Sequence, residues 1–142
     1  MKSERGNAMA WLAIVMVFLM VPLMGLTMDV TRAMYVRTHL QAASDAGCQA
    51  AADSMRVPLF QDSGVQEIDA ALMIARAEQV FNATLRDSGK VRFIPSLSLR
   101  LLTPTSVECT TTASVDRLIP SVVPEIKLRV MTVSEMRART KP

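Results

Sequence analysis

Residues Ala8 to Met28 form an unbroken run of 21 uncharged residues, most of them apolar. A helix of roughly 20 apolar residues crosses the hydrocarbon core of a bilayer, and a soluble core helix rarely needs so many in succession. Seven residues, Met1 to Asn7, stand before the run. The chain therefore divides into a short tail (1–7), a membrane span (8–28) and one small domain (29–142). A secretory signal peptide is the competing reading, but it needs a shorter apolar core followed by a small-x-small cleavage site. Thr27-Met28-Asp29-Val30-Thr31-Arg32 offers no such site, so the span is read as uncleaved. Lys2 and Arg5 precede the span, and Arg32 and Arg37 follow it. That bias is small, and the short tail favours an N-inside orientation with the domain exported.

The domain carries little net charge. Residues 29–142 hold 14 Lys and Arg against 12 Asp and Glu, and the bases are scattered apart from the ending Arg137-Ala138-Arg139-Thr140-Lys141. Nucleic-acid binding needs a clustered basic footprint and usually stacking aromatics. The chain has six aromatics, two of them (Trp11 and Phe18) in the span, so nucleic acid is not an expected partner. Cys48 and Cys109 are the only cysteines. In an oxidising compartment such a pair closes one disulfide; the other reading is two buried thiols acting as small apolar side chains. With no further Cys or His ligands beside them, a metal site is not expected.

Beyond the span the helical pattern continues. No proline occurs from Asp29 to Arg56, and Ala33, Val36, Leu40, Ala43, Gly47 and Ala50 recur at steps of three and four, which is one apolar stripe on a helix. The stripe is made largely of small residues, so another element can approach it closely. Arg37, Gln41, Asp45 and Gln49 fall on a separate face read as solvated. A helix running from Ala8 to Arg56 is roughly 74 Å long at 1.5 Å per residue, and Pro22 with Gly25 is expected to bend its membrane half. Val57-Pro58 ends it, and a loop follows to Gly64. Ser63 and Gln66 fit a capping box for a second helix reaching about Asp87. Its stripe is Ala70, Met73, Ile74, Ala77, Val80, Phe81 and Leu85, with Gly89 as the stop.

After Gly89 the period falls to two. Phe93, Leu97, Leu99 and Leu101 alternate with Ser96, Ser98 and Arg100. Val107, Cys109, Thr111, Ala113 and Val115 alternate with Glu108, Thr110, Thr112 and Ser114. Past a proline-punctuated link over 118–124, Ile126, Leu128 and Val130 alternate with Lys127, Arg129 and Met131. Three half-buried strands of this kind form an antiparallel sheet with one wet face; the helical stripes are the elements available to cover the dry one. The expected class is α+β: a long N-terminal helix, transmembrane and then continuing as a spine, plus a second helix on an antiparallel sheet of about three strands.

That layout resembles a pilin-type subunit, and the N-terminal third narrows the resemblance. Glu4-Arg5-Gly6 leads into the apolar run, which exits through Gly25, Asp29, Arg32 and Tyr35 into Leu40-Gln41-Ala42-Ala43-Ser44-Asp45-Ala46. These pieces are similar to the "ERG" start, the "G-x-x-x-D-x-x-R-x-x-Y" exit and the "LQ-x-A-x-D-A" helix of the TadE/TadG-like proteins of the Tad (tight adherence, Flp) pilus system. The prolines and strand near residues 120–134 look like the family's C-terminal part less specifically. The resemblance implies a non-enzymatic pilus-assembly subunit or minor pilin-like component in the bacterial inner membrane. Its implied partners are other pilin-like or Tad assembly proteins and membrane lipid. Pilin-like precursors are cut after a glycine by a prepilin peptidase, which makes Gly6 the candidate cut site here, with Asn7 as the new N-terminus. Many pilins carry a glutamate five residues into the mature chain; here that position is Trp11. The chain lacks the intramembrane carboxylate that pairs with a neighbouring subunit. Either it is an uncut anchored assembly factor, the preferred reading, or it occupies a special place such as a tip.

No set of residues supports catalysis. His39, the single histidine, has no evident nucleophile or carboxylate at a useful spacing. Asp62, Glu67 and Asp69 suit the positive end of the second helix and lack the spacing of a calcium loop. Asn82-Ala83-Thr84 fits a glycosylation acceptor pattern but sits on an expected helix. Neither a cofactor nor a small-molecule substrate is implied. The alternative reading is a bitopic envelope protein whose small domain binds a ligand or senses a signal, unrelated to filaments.

Overall fold

The computed structural model describes residues 3–86, 93–115 and 126–137. The expected stop at Gly89, the link over 118–124 and most of the basic ending lie outside them. Three helices and three strands follow in order: α1 (Ser3–Ala52), α2 (Val57–Ser63), α3 (Ala70–Arg86), β1 (Phe93–Thr103), β2 (Ser106–Val115) and β3 (Ile126–Glu135). The architecture is α+β, as the change of period from 3.6 to 2 requires.

The 50 residues of α1 form one helix, roughly 75 Å long at 1.5 Å per residue. It continues through Pro22, whose missing N–H leaves the Phe18 carbonyl without its usual donor. Polar side chains in and just beyond the apolar run are satisfied locally. Thr27 Oγ1 donates to the Leu23 carbonyl at 2.6 Å, and Thr31 and Thr38 make the same bond to the carbonyls four residues back. Such bonds matter where water is excluded, because an unpaired hydroxyl is costly there.

The sheet is antiparallel with order β1-β2-β3. Its central strand has the deepest inner face, where Val107, Cys109, Thr111, Ala113 and Val115 are all buried. The lower half of the spine packs Val36, Leu40 and Ala43 with Phe81, Ala113, Val115 and Val130. The upper half packs Cys48 and Ala51 with Ile68, Met73, Ala77, Val107 and Cys109. As α1 rises from Val36 to Cys48, β2 descends from Val115 to Val107, so helix and central strand are antiparallel. β1 and β3 consequently run with the spine, away from the apolar segment. α1 covers β2 and β3, while α3 lies mainly against α1. The inner side chains of β1, Phe93, Leu97 and Leu99, are therefore only half-buried.

Four expectations need correction, the first being the end of the spine: α1 stops at Ala52, four residues before Arg56, so Val57-Pro58 opens the next helix and does not end this one. The stretch after Val57-Pro58 is a short helix, α2, closed by Gly64 at φ 73° with its N–H on the Phe60 carbonyl. Proline at the second position is tolerated because the first-turn N–H groups have no helical partner anyway. The Ser63–Gln66 box does not form: Ser63 Oγ donates back to the Leu59 carbonyl, and α3 begins seven residues later. Asp69 caps it instead, Oδ1 accepting from the N–H groups of Ala71 and Leu72. Between the helices, residues 54–69 fold into a strap. Arg56 N–H reaches the Glu67 carbonyl, Asp69 N–H the Ser54 carbonyl, and Ile68 N–H the Pro104 carbonyl. Finally, the buried stripe of α3 is narrower than expected. Met73, Ala77 and Phe81 are buried, Val80 and Leu85 are half-buried, and Ala70 and Ile74 face outward.

Gly47 fixes how closely α3 approaches the spine. A Cβ there would lie 3.2 Å from the Ala77 carbonyl oxygen and 3.3 Å from Phe81 Cβ. Leucine at this position must push two helices apart. Gly47→Leu is expected to destabilise the head by about 1–3 kcal/mol, read as a fall in Tm of several degrees per kcal/mol. Leu40→Ala, which empties a fully buried site, is expected to cost about 2–5 kcal/mol in the same thermal unfolding measurement.

Candidate functional site

Two regions bear on function: the bare apolar shaft and the joint that holds the head on it. The shaft comes from composition alone. Ala8 to Met24 are exposed residue after residue, with Phe18 at 80% and Met9 at 76%. An exposed apolar surface of this extent marks a membrane or protein contact. By length and hydropathy, α1 is apolar enough to cross a membrane. Along one side, Trp11, Val15, Phe18, Leu19, Pro22 and Leu26 line an open groove of about 650 Å³, where proline replaces a hydrogen-bonded turn. Gly6 and Asn7 lie in the first turns of the same helix.

At the joint, Cys48 of the spine and Cys109 of the central strand are joined by a disulfide, with Cα atoms 5.8 Å apart and a sequence separation of 61. Both halves are fully buried. The carbonyl oxygens of Val107 and Thr132 lie 3.6 and 3.5 Å from Cys48 Sγ; a half-cystine has no proton to give, so these are van der Waals contacts. One turn lower, a polar clasp ties the spine to β3. Ser44 Oγ donates to Thr132 Oγ1 at 3.3 Å, and Thr132 Oγ1 donates to Asp45 Oδ1 at 2.8 Å. Each hydroxyl gives one proton, so the chain of bonds is internally consistent.

Of the expected packing stripe, Val36, Leu40, Ala43 and Gly47 are buried, while Ala33 and Ala50 are half-buried. The buried face also takes in Ser44, Cys48, Ala51 and Ala52, because α3 and the sheet approach α1 from two directions. The polar row divides as well. Arg37, Gln41 and Asp45 are exposed, but Gln49 is half-buried, and among the described residues its buried Nε2 has no hydrogen-bond partner. These all lie inside one chain's fold; the buried ones are not available to a second subunit.

His39 is half-exposed and packs on Tyr35, ring centroids 4.3 Å apart and tilted by 56°. Glu67 lies 3.8 Å from Arg56 across the strap, with both side chains largely in solvent, an interaction of marginal energetic value. Among the described residues no group of three or more His, Cys, Asp or Glu side chains converges on a metal-sized site. Asn82 is exposed on α3, and Thr84 turns its hydroxyl back to the Val80 carbonyl. Sequence reasoning missed the strap and the Asp69 cap; the only local signals were Asp69 two residues before the helical N–H it binds and Gly64 before the strap.

Residues 6–54 match the family model Tad, described as putative Flp pilus-assembly TadE/G-like. The match starts at Gly6, takes in the whole apolar shaft and ends at Ser54, where the spine has just terminated. It is the sequence of one structural element. The strands lie beyond the Tad segment, so the likeness noted near residues 120–134 is not part of it. No curated protein and no solved structure matches the chain.

The joint gives a direct test. With both sulfurs fully buried, the folded protein is expected to resist thiol alkylation without reductant and to react at two sites once reduced and unfolded. Replacing Cys48 and Cys109 together by Ala is expected to cost about 4 kcal/mol on the chain-entropy account for this loop, measured by denaturant unfolding of the head.

Proposed function

We propose that this chain is a membrane-anchored assembly subunit of a Tad/Flp-type pilus, structural and non-enzymatic. The observation that carries the reading is the coincidence of the Tad match with α1. The matched residues cover the exposed shaft and the spine and run two residues past the end of α1. A role in pilus assembly is what that match supports. The anchor follows from physics. A run of 21 apolar or uncharged residues, exposed along its length, finds its lowest free energy in hydrocarbon.

In this reading residues 1–7 are the cytoplasmic tail, 8–28 the span and 29–142 the exported head, in the bacterial inner membrane or at the cell surface. A buried disulfide in the head accords with an oxidising compartment. Other pilus components are the partners, met through the shaft in the bilayer and the outer surfaces of the head. Trp11 stands where a filament-forming pilin would place a glutamate if Gly6 were the cut site. The shaft then has no buried carboxylate with which to recruit a neighbour's N-terminal amine. An uncut chain, holding its place beside the growing fibre, fits that departure.

Two measurements test the reading. The intact mass of the protein extracted from membranes is expected to include residues 1–6; a mass starting at Asn7 replaces the permanent anchor by a processed minor pilin. Deleting the gene is expected to abolish or sharply reduce surface pili while leaving other envelope functions intact. Normal piliation in the deletion strain sinks the assembly role and favours a ligand-binding or sensing domain.

A further inference from the structure

The fold sorts charge along the axis of the head in a way that composition conceals. The lower level lies beside the apolar shaft, where Val36 packs with Val115. The shaft's last residue, Met28, is eight residues below Val36, roughly 12 Å along the helix. At this level stand Arg32 and Arg37 on α1. Lys127 and Arg129 join them on β3, paired with Ser114 and Thr112 of β2. Arg37, Lys127 and Arg129 are exposed and Arg32 half-exposed. The one described carboxylate here, Asp29, is only 4% exposed. The upper level, from Gln41 on α1 and Val130 on β3 to the far end, is the reverse. Its described residues carry eight carboxylates, from Asp45 to Glu135, against four arginines.

At the same lower end, Ile94 is 86% exposed, the most exposed large hydrophobic among the described residues of the head. It stands on the outer face in one row with Ser114 and Lys127. A cationic rim around an exposed aliphatic side chain, roughly a headgroup's depth above a membrane span, has the chemistry of an interfacial contact.

We infer that the lower end of the head docks on the acidic phospholipid headgroups of the bilayer that its own shaft crosses. This rests on the anchor reading proposed above. Lys127, Arg129, Arg37 and Arg32 supply the attraction, Ile94 the apolar contact. The acidic upper end offers no such attraction, so the contact is specific to the lower end. The contact fixes the tilt of the head relative to the membrane, and so which outer surfaces face a neighbouring subunit. It holds for whichever leaflet the head faces, because acidic lipid presents the same phosphate chemistry in both. Juxtamembrane cations contribute roughly fivefold each to such an equilibrium, and the effect is screened over about a Debye length by salt.

The test uses the full-length chain in vesicles of phosphatidylcholine, with or without phosphatidylglycerol. A fluorophore is placed at Ser96→Cys near the lower end or at Val133→Cys near the upper end, and quenched by a headgroup-level lipid quencher. The native cysteines are tied up in the disulfide and do not label. Quenching at 96 is expected to rise with phosphatidylglycerol and fall with salt, while 133 stays unquenched. Lys127→Gln with Arg129→Gln is expected to shift the docked fraction at least tenfold towards undocked. Glu108→Gln at the upper end is expected to leave it unchanged. Quenching at 96 that is indifferent to phosphatidylglycerol, or an equal rise at 133, overturns the inference while leaving the anchor standing. A chain that fails to float even with phosphatidylcholine vesicles overturns the anchor reading and the docking with it.

Discussion

Everything in this molecule hangs on one helix with two kinds of surface. Below Met28, α1 is coated with exposed apolar side chains. From Val36 upward the same helix is the central rod of the packed head. No flexible linker separates the two halves, since α1 is unbroken from Ser3 to Ala52. The head is therefore held at a defined angle to the shaft. What keeps it there is the attachment of α1 to the sheet, made at three heights: the Val36–Leu40 contacts, the Ser44–Thr132–Asp45 clasp and the Cys48–Cys109 bond. Apolar packing supplies most of the free energy, the polar clasp fixes register, and the covalent bond restricts the unfolded chain.

Such an arrangement explains the use of small residues. Ala43, Gly47 and Ala51 lie where two layers converge on the spine, and a larger side chain at any of them would separate the layers. Gly47 is the tightest case, with the α3 backbone itself as the neighbour. The stripe of small residues is used up inside the head. On the proposed reading, assembly contacts come from the surfaces that remain: the shaft, the outer face of the sheet and its two edges. Both edge strands run in the same direction as the spine. If copies are anchored side by side in one membrane, as proposed, they present those edges in parallel, and any edge-to-edge addition of strands between them is parallel too.

Much of this was legible in the residues because the signals are local. A span declares itself through twenty-one residues without a charge, and strands through strict alternation. Cys109 read as inward-facing because it shares its face of the strand with Val107, Ala113 and Val115. The motif pieces around Gly25, Asp29, Arg32 and Tyr35 pointed to the Tad family, and the match over residues 6–54 falls on the same ground. Where reading failed, the cause was competition between local and long-range bonds. Ser63 fits a capping box on paper, but the strap needs residues 64–69 extended so that Met55 can pair with Ile68 and the Arg56 N–H can reach the Glu67 carbonyl. Asp69 takes the cap because the helix starts only after those bonds are made.

The sequence by itself determined the properties that are sums over neighbouring residues: the apolar shaft, the helical spine, the three strands, and the near-neutral charge of the head. Tertiary structure decided the properties that depend on which distant residues meet. It chose the face of α1 that is buried at each height and drew Gln49 inward from a row of solvated neighbours. It brought Cys48 to Cys109 and gathered bases at one end of the head and acids at the other. Strand direction did the sorting: β3 carries Lys127 and Arg129 down beside the shaft because it enters the sheet there and runs upward to Glu135. A charge pattern scattered along the chain thus becomes a gradient in space.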